Sequence, residues 1–452
     1  MARFTFHNLI RRTPLSLCLP MLALTGCGHA HSQNDAADTE TLGLTVDKNG
    51  TILLAGKPYY GFGVNSFSLV IRYIEGAEKS LYRSQFELLK KYGIPYIRVN
   101  FGGYWPEYYE KFDADPEGVL SRMRDVVQCA EEYKIGLICS LLWYDASIPA
   151  HVGEHRSDMG NSSSKTVKYA VEYVSRIVSE FRDSPAVWAW EIGNEYNLCA
   201  DLCDPDFHSR LPDGPCTPES PSGYDFYTSE ELMRFYTAVG AAIREQDPVR
   251  MISSGNGDLR CASKSLLSLR SAAARMNTET HLWREDWKPD TVEDFYEMCA
   301  YFTPDPIDTI SFHLQHAEQD EAGNASFLLL LDRFGGRQST FEYLQLYAAA
   351  ARKANKALYF GEMGDMLWME DDENAASVFK NVADWITDAG IQLASSWQFS
   401  KNSLIATDSG IDGEKLKILQ EKNQNYIDEG KADTVTYWSN KQKIHTGLED
   451  RK

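Results

Sequence analysis

The sequence lacks the features of a nucleic-acid or nucleotide-binding protein. Its 452 residues include 45 lysines and arginines against 65 aspartates and glutamates, a formal net charge of −20. A chain this acidic repels nucleic acid and anionic lipid head groups. It also contains no Walker or Rossmann glycine motif, no internal repeat, and no low-complexity tract beyond a polar stretch at residues 28–42. These absences exclude the common phosphate-binding loops and the solenoid folds.

Long hydrophobic runs are also scarce. The apolar stretch from Pro14 to Leu24 is too short to span a bilayer as a helix. It follows a basic segment that contains Arg3, Arg11 and Arg12, and it ends in small residues. This order is typical of an export signal.

The next residues, Leu24-Thr25-Gly26-Cys27, resemble a bacterial lipoprotein box. The resemblance implies that residues 1–26 are a signal peptide, that Cys27 is lipidated, and that residues 27–42 form an acidic flexible tether. We therefore expect an exported protein, lipid-anchored in a bacterial cell envelope on its periplasmic or cell-surface side, that touches the membrane only through acyl chains. The alternative is an ordinary cleaved signal with an incidental cysteine.

Seven cysteines lie beyond the predicted lipidation site, and export permits disulfides. Seven is an odd number, so at least one thiol stays free. Cys129 and Cys139 lie in apolar patterns that are typical of buried thiols. Cys199, Cys203 and Cys216 share one acidic loop, where we predict a disulfide, because Cys-x3-Cys without paired histidines is a weak zinc signal.

The remainder of the chain alternates strand and helix patterns. A small hairpin is predicted over residues 44–54, with its turn at Lys48-Asn49-Gly50. Eight apolar strands are predicted at residues 59–65, 95–100, 135–143, 186–195, 251–255, 307–313, 357–362 and 391–399. The amphipathic helices are predicted at residues 80–92, 119–133, 166–182, 229–246, 292–301, 340–354, 375–389 and 413–427.

This alternation favours an α/β fold of the (β/α)8 TIM-barrel type, with a small N-terminal β-hairpin and extended βα loops, in a single domain over residues 43–452. A doubly wound open sheet is the alternative. In such a barrel, functional residues gather at the carboxyl ends of the strands. Polar and aromatic residues do follow those ends. They are Arg98, Asn100, Trp143, Asn194, Glu195, His313, Glu362 and Trp397.

Two of these residues, Glu195 and Glu362, are acids at the tips of apolar strands. Burying a carboxylate costs several kcal/mol unless it is paired, roughly 2–7 kcal/mol even for an uncharged polar group, so folding alone does not explain them. Two such strands indicate a pocket where carboxylates take part in chemistry. Glycoside hydrolysis is the reaction that most often needs a pair of them.

The two motifs around these acids resemble those of the retaining β-glycosidases of the clan A (β/α)8 barrels, and the chain is most similar to glycoside hydrolase family 5, with its mannanase- and cellulase-like members. In that clan the acid/base glutamate follows an asparagine at the end of strand four, and the nucleophile ends strand seven. Residues 190–195 (Trp-Glu-Ile-Gly-Asn-Glu) and 359–362 (Tyr-Phe-Gly-Glu) match both motifs in order. The opening at residues 56–65 is also similar, and the resemblance covers residues 44–430.

The resemblance implies a role for each strand-end residue. Glu195 would be the general acid/base and Glu362 the nucleophile, kept ionised by Arg98. Asn194 would bind the sugar 2-hydroxyl, and Trp397 would form the floor under the sugar. Asn100, Trp143 and His313 complete the substrate-binding set that we predict.

The implied activity is retaining hydrolysis of a β-linked oligo- or polysaccharide, with β-mannan or β-glucan as the first expected substrate. The alternatives are another clan A substrate, such as xylan, galactan or an agar-type polymer, and a non-catalytic glycan-binding lipoprotein. No cofactor or metal is expected. We expect a monomer whose partners are a carbohydrate and, through the anchor alone, a membrane, with no nucleic acid.

Two departures from family 5 bear on the substrate. Gln315 stands where the family usually has a tyrosine on strand six, and Trp143 ends strand three where a histidine commonly follows. Residues 256–290 form an unusually long segment that would close one end of the cleft. Aromatic residues predicted in βα loops would extend that cleft. They are Tyr104, Trp105, Tyr108, Tyr144, Trp283, Trp287 and Trp368.

Overall fold

The predicted barrel is present in the computed structural model. The structure describes residues 41–202, 216, 223–268, 288–314, 318–319, 325–326, 339–364, 375–399 and 410–449. Eight parallel strands close on themselves in the order β12-β13-β4-β5-β6-β7-β8-β9, with the ranges given below. Helices connect them, and the TIM-barrel prediction is confirmed.

The strands in chain order are β1 (Leu44–Val46), β2 (Ile52–Leu54), β3 (Lys57–Pro58), β4 (Gly61–Asn65), β5 (Tyr96–Asn100), β6 (Gly136–Leu142), β7 (Val187–Gly193), β8 (Met251–Ser253), β9 (Thr309–Leu314), β10 (Glu318–Gln319), β11 (Ala325–Ser326), β12 (Ala357–Met363) and β13 (Leu393–Ser396). The α-helices are α1 (Leu69–Ile74), α2 (Lys79–Lys91), α3 (Pro106–Ala114), α4 (Pro116–Tyr133), α5 (Ser147–Val152), α6 (Lys165–Phe181), α7 (Ser229–Gln246), α8 (Ser263–Ser268), α9 (Val292–Tyr301), α10 (Thr340–Ala354), α11 (Ala375–Asp388), α12 (Gly410–Asp428) and α13 (Thr434–Glu449).

The barrel strands are buried along their whole length, which explains their continuous apolar runs. Local signals fix the helix starts. Thr228 and Glu231 form a capping box at the start of α7, and Ser164 caps α6. The eight predicted helices all appear in the structure. The sequence analysis did not predict α1, α3, α5, α8 or α13.

The amino end of the barrel is covered by the N-terminal hairpin and α13. The backbone N–H of Gly43 donates to the Tyr437 hydroxyl at 2.9 Å, and that hydroxyl donates to the Pro185 carbonyl at 2.7 Å. Thr45 pairs with Arg250, just before β8. The carboxyl ends of the strands therefore form the mouth. Among the described residues, no helix is both long enough and apolar enough to cross a membrane.

Candidate active site

The predicted site residues meet at the mouth of the barrel. Arg98 and Asn100 lie on β5, His313 on β9 and Glu362 on β12, while Trp143, Glu195 and Trp397 follow β6, β7 and β13. One carboxylate oxygen of Glu195, one of Glu362 and a ring nitrogen of His313 all lie within 4.8 Å of one another. Chemistry-bearing side chains from three different strands thus share one small volume.

Glu195 is held by its backbone in an unusual conformation. Its φ of 59° and ψ of 24° are left-handed, which a residue with a β-carbon adopts at a cost of roughly 1–2 kcal/mol. The surrounding backbone holds it there, because the N–H of Glu195 donates to the Gly255 carbonyl at 2.8 Å, and that of Asn194 to the Trp143 carbonyl at 3.1 Å. The turn after β7 is therefore fixed by its two neighbouring strands.

The loop after β8 packs directly on the Glu195 side chain. A β-carbon at Gly257 would lie 3.2 Å from Oε1 of Glu195. Asn197 locks this loop, because its Oδ1 accepts from the Gly257 N–H at 2.9 Å and its Nδ2 donates to the Gly257 carbonyl at 3.0 Å. Gly257 thus provides close backbone contact with the acid.

Arg98 is fully buried, and its guanidinium organises the site. Nε donates to Glu191 at 2.8 Å, and Nη2 lies 2.7 Å from the same carboxylate oxygen. Nη1 donates to Glu362 at 2.7 Å and to Asn65 at 3.0 Å, while Nη2 donates to Asn194 Oδ1 at 2.8 Å. These contacts match the five N–H donors of an arginine. The predicted contact of Arg98 with Glu362 is present.

Glu362 is placed by an irregularity in β12. The register of β12 against β9 shifts between Phe360 and Glu362, so that Glu362 lies opposite His313. Gly361 permits this approach, since a β-carbon there would lie 2.6 Å from Nε2 of His313. Such a bulge re-aims a side chain, and here the re-aimed side chain is the carboxylate at the mouth.

His313 lies between the two acids. Its Nδ1 is 2.9 Å from Oε1 of Glu195 and 3.6 Å from Oε1 of Glu362. Its Nε2 is buried without a hydrogen-bond partner. Burial lowers the pKa of His313 to about 4, so the imidazole is neutral near pH 7.

The two acids differ in their electrostatic surroundings. Burial raises the pKa of Glu195 to about 7, an effect that Arg98 opposes and Asp258 reinforces. Burial also raises the pKa of Glu362, but the ion pair with Arg98 limits that rise. Glu362 touches the Arg98 guanidinium directly. Glu195 is thus suited to hold a proton and Glu362 to stay ionised.

Three near-parallel aromatic rings line one side of the mouth. Phe67 lies with its ring centroid 5.5 Å from that of Trp143 and 5.7 Å from that of Trp397. The guanidinium carbon of Arg98 lies 4.7 Å from the Trp143 centroid, a cation–π distance. Such rings suit the apolar C–H face of a sugar.

The spacing of Glu195, His313 and Glu362 would also let three ligand atoms reach one metal ion. Arg98 argues against that use, because its guanidinium already donates to Glu362 and would repel a second cation. The expectation that no metal or cofactor is needed stays a prediction.

The remaining predicted residues have different surroundings. Asn100 is fully buried, its Oδ1 accepts from the Gly102 N–H at 2.8 Å, and its Nδ2 has no partner. Tyr104, Trp105 and Tyr144 contact one another, with ring centroids 4.5–5.7 Å apart.

Other predicted positions are buried or lie outside the described residues. Tyr108 is a core residue. Gln315, Trp283, Trp287, Trp368 and Cys27 lie outside the described residues.

The prediction of a disulfide in the loop of Cys199, Cys203 and Cys216 is wrong. Cys199 and Cys216 are both free thiols in the structure, and Cys203 lies outside the described residues. Any pairing among the three would use at least one of the two free thiols, so the shared acidic loop was an insufficient signal. Cys129 and Cys139 are buried free thiols, as predicted.

Sequence reasoning missed two residues of the site, Asn65 and Phe67. Asn65 ends β4, donates to the Gly361 carbonyl at 2.9 Å and accepts from Arg98. The signal for it was its position at a strand end, directly after Gly63-Val64. Nothing in the sequence marked Phe67, which lies in the loop after β4.

Similar proteins are found by sequence and by structure. The chain is 36% identical over 83 residues to a probable mannan endo-1,4-beta-mannosidase F of Aspergillus flavus, a match that covers 17% of this chain and 18% of the relative. It therefore spans less than a fifth of the length of that relative. Among solved structures, the endo-1,4-beta-mannanase of Rhizomucor miehei matches with a TM-score of 0.56 at 16% identity, over 85% of this chain and 99% of that one.

A third match is the exo-beta-1,4-mannosidase Op5Man5 of Opitutaceae bacterium strain TAV5, with a TM-score of 0.53 at 16% identity, over 86% of this chain and 63% of that one. At these identities the structural likeness shows the fold alone. The family model described as cellulase (glycosyl hydrolase family 5) matches residues 55–443, which is most of the chain. The chain therefore belongs to glycosyl hydrolase family 5, a family of glycoside hydrolases.

Proposed function

We propose that this protein is a retaining β-glycoside hydrolase in which Glu195 is the general acid/base and Glu362 the nucleophile. The observation that carries the proposal is that oxygens of the two carboxylates lie within 4.8 Å of one another. Retaining enzymes place their two carboxyl groups about 5–5.5 Å apart, whereas inverting enzymes leave about 6.5–9.5 Å for a water molecule.

In the first step the Glu362 carboxylate attacks the anomeric carbon. A bond forms between that carbon and an oxygen of Glu362, while the bond to the glycosidic oxygen breaks. Glu195 gives its proton to the departing oxygen, so the leaving group departs as an alcohol. With a pKa of about 7, Glu195 holds this proton in acidic solution and is about half protonated near pH 7.

In the second step Glu195, now a carboxylate, takes a proton from water. The water oxygen attacks the anomeric carbon, and the bond to Glu362 breaks. Two inversions give net retention. The amide oxygen of Asn194 accepts from Arg98, so its amide nitrogen is the group that donates to the sugar 2-hydroxyl.

We propose β-mannan as the substrate, with β-glucan as the second candidate. Support comes from the curated relatives, which are named as mannan endo-1,4-beta-mannosidases; the one from Aspergillus flavus matches this chain at 36% identity over 83 residues. Xylan, galactan and agar-type polymers are the alternatives. Trp397 and its stacked neighbours supply a sugar platform that all of these would use.

A panel of polysaccharides tests the activity. Purified wild type should release sugar from β-mannan, and Glu195→Ala and Glu362→Ala should release at least about 10²-fold less. The exposed Glu87→Ala is the matched control and should behave as wild type. Full activity of Glu362→Ala would overturn the assignment of the nucleophile, and polymer binding without any sugar release would favour a glycan-binding protein.

The anomeric form of the first product tests the stereochemistry. Nuclear magnetic resonance during the first minutes of reaction should show the β-anomer before it mutarotates. An initial α-anomer would contradict the double displacement.

We also propose that residues 1–26 are a signal peptide and that Cys27 carries the lipid anchor, with residues 27–42 as a tether to a monomeric catalytic domain over residues 43–452. The Leu-x-Gly-Cys sequence supports this. Wild type should fractionate with membranes and incorporate labelled palmitate, whereas Cys27→Ser should do neither. Size-exclusion chromatography of residues 43–452 checks the monomer.

A further inference from the structure

Glu191 is a buried carboxylate that takes no part in the proposed mechanism. It lies on β7, is fully buried, and contacts Arg98 through both Nε at 2.8 Å and Nη2 at 2.7 Å. The Ser253 hydroxyl donates to its other oxygen at 3.4 Å. A second buried acid beside the same arginine needs a reason, because a carboxylate in a protein interior is strongly destabilising unless it is paired.

It is unusual that a single buried cation forms ion pairs with two buried carboxylates. Arg98 pairs with Glu191 and with Glu362, and side-chain exposure is 0% for Arg98 and Glu191 and 3% for Glu362. Were Arg98 present only to stabilise Glu362, Glu191 would weaken it by competing for the same charge. If Arg98 and Glu191 formed only a structural ion pair, Arg98 would have no reason to contact Glu362 as well.

We propose that Glu191 is a positioning residue that orients the guanidinium of Arg98 and shares its charge, and thereby sets how strongly the carboxylate of Glu362 is stabilised. This inference rests on the proposed role of Glu362 as the nucleophile. Glu191 itself touches no reacting atom.

The contacts of Glu191 explain how it orients the guanidinium of Arg98. Glu191 occupies the Nε and Nη2 edge of the guanidinium, which is planar and rigid. With that edge fixed, Nη1 is left to face Glu362, and the second hydrogen of Nη2 to face Asn194. A single carboxylate thus aims the arginine at both the nucleophile and the amide that would bind the 2-hydroxyl.

The charges around Glu191 explain how it sets the strength with which Arg98 stabilises Glu362. Among the described residues, titratable groups within electrostatic reach of Glu191 lie on β5, β6, α7, β9 and β12. They include Arg98, Cys139, Tyr236, His313 and Tyr359. Burial raises the pKa of the thiol and of both phenols and lowers that of the imidazole, so Arg98 is the one cation among these groups near pH 7. If Glu191 were neutral, the whole charge of Arg98 would act on Glu362, which would become a weaker base and a weaker nucleophile.

The experiment compares two substitutions that separate the charge of Glu191 from the length of its side chain. Glu191→Gln keeps the length of the side chain and removes its charge. We expect the acid limb of kcat/KM against pH to move down by roughly one pH unit, and kcat/KM at pH 6 to fall about ten-fold. Glu191→Asp keeps the charge but withdraws the carboxylate from the Nε edge. We expect kcat/KM to fall about ten-fold with the acid limb in place, since misplaced groups lose rate.

The control is Glu231→Gln, which removes another buried carboxylate, at the start of α7. It should lower the melting temperature and leave the acid limb unmoved. The substrate is β-mannan or an aryl β-mannoside, and circular dichroism checks folding of each variant.

The outcomes separate this inference from the proposed function. Wild type without activity on any β-glycoside would overturn both. If wild type is active and the acid limb of Glu191→Gln lies within about 0.3 pH units of the wild-type limb, the charge sharing alone is overturned. If Glu191→Gln does not fold, Glu191→Asp decides, and unchanged kcat/KM in that variant would overturn the positioning role.

Discussion

The imidazole of His313 lies within hydrogen-bonding distance of Glu195, with Nδ1 2.9 Å from Oε1. Because burial lowers the pKa of His313 to about 4, the ring contacts Glu195 as a neutral group near pH 7. The charge state of the site in that range is therefore set by Glu195 rather than by the histidine.

The alkaline limb of activity should lie near pH 7. Glu195 must be protonated to act as the acid, and its pKa is about 7, so kcat/KM should fall as pH rises above that value. In Glu195→Gln this limb should disappear, and kcat/KM on a natural glycan should drop by about 10²–10⁴-fold. On an aryl glycoside with a good leaving group, kcat/KM of the same variant should fall less. An alkaline limb that persists in the variant would assign it to another group.

Glu195→Gln should also stabilise the protein at alkaline pH. The folded state holds this proton more tightly than the unfolded state, so its contribution to stability is full below the ordinary glutamate pKa and is lost as pH rises to about 7. Above that pH the variant should gain about 2–3 kcal/mol in the free energy of unfolding. Melting temperatures at pH 5 and pH 8 measure the effect, with exposed Glu87→Gln as the control. An equal difference at both pH values would contradict it.

Arg98→Lys should fold poorly or lose nearly all activity. Lysine keeps the charge but cannot reproduce contacts to Glu191, Glu362, Asn65 and Asn194 at once. Arg98→Ala leaves two buried carboxylates without their cation, and we expect it to lose about 3–5 kcal/mol of stability. Urea unfolding measures this. The exposed Arg83→Lys is the control, and near-normal kcat/KM in Arg98→Lys would contradict the network.

Gly257→Ala should reduce activity more than stability. Its β-carbon would lie 3.2 Å from the carboxylate oxygen of Glu195 and push it out of place, at a cost of roughly ten-fold in kcat. Gly240→Ala is a matched control, because its β-carbon also meets its nearest neighbour at 3.2 Å, but that neighbour is Pro306. Equal kcat values for the two variants would refute the contact with the acid.

Trp397→Ala should weaken use of the substrate. Loss of a sugar platform removes roughly 1.5–3 kcal/mol of apolar contact, which corresponds to about a 10–100-fold fall in kcat/KM. Trp397→Phe should retain most of the activity because a ring remains. Trp385→Ala removes a half-buried tryptophan on α11 and should lower the melting temperature without changing KM. A normal KM and kcat in Trp397→Ala would remove this residue from the site.

The sequence predicted the barrel well because each strand is buried on both faces and appears as an apolar run. The predicted α7 and α10 agree with the structure at both ends, since Thr228 and Ser339 provide capping boxes. Short helices such as α1 and α3 were missed because one or two turns give too little periodicity. The strand end that carries Glu362 was predictable for the same reason as the strands, whereas β7 ends at Gly193, two residues before Glu195.

Other features of the site depend on three-dimensional contacts that no local pattern encodes. The left-handed backbone of Glu195 and the register shift before Glu362 both arise from neighbouring strands. The ring of Phe67 joins Trp143 and Trp397 only because β4, β6 and β13 end at the same rim. The division of Arg98 between two acids likewise depends on the packing of the barrel interior.

The contact between Gly43 and Tyr437 has a further consequence for how the molecule meets a polymer. It fixes the first strand and the last helix of the described fold at the end of the barrel farthest from the mouth. A glycan chain can therefore approach the open rim without meeting either of these two elements.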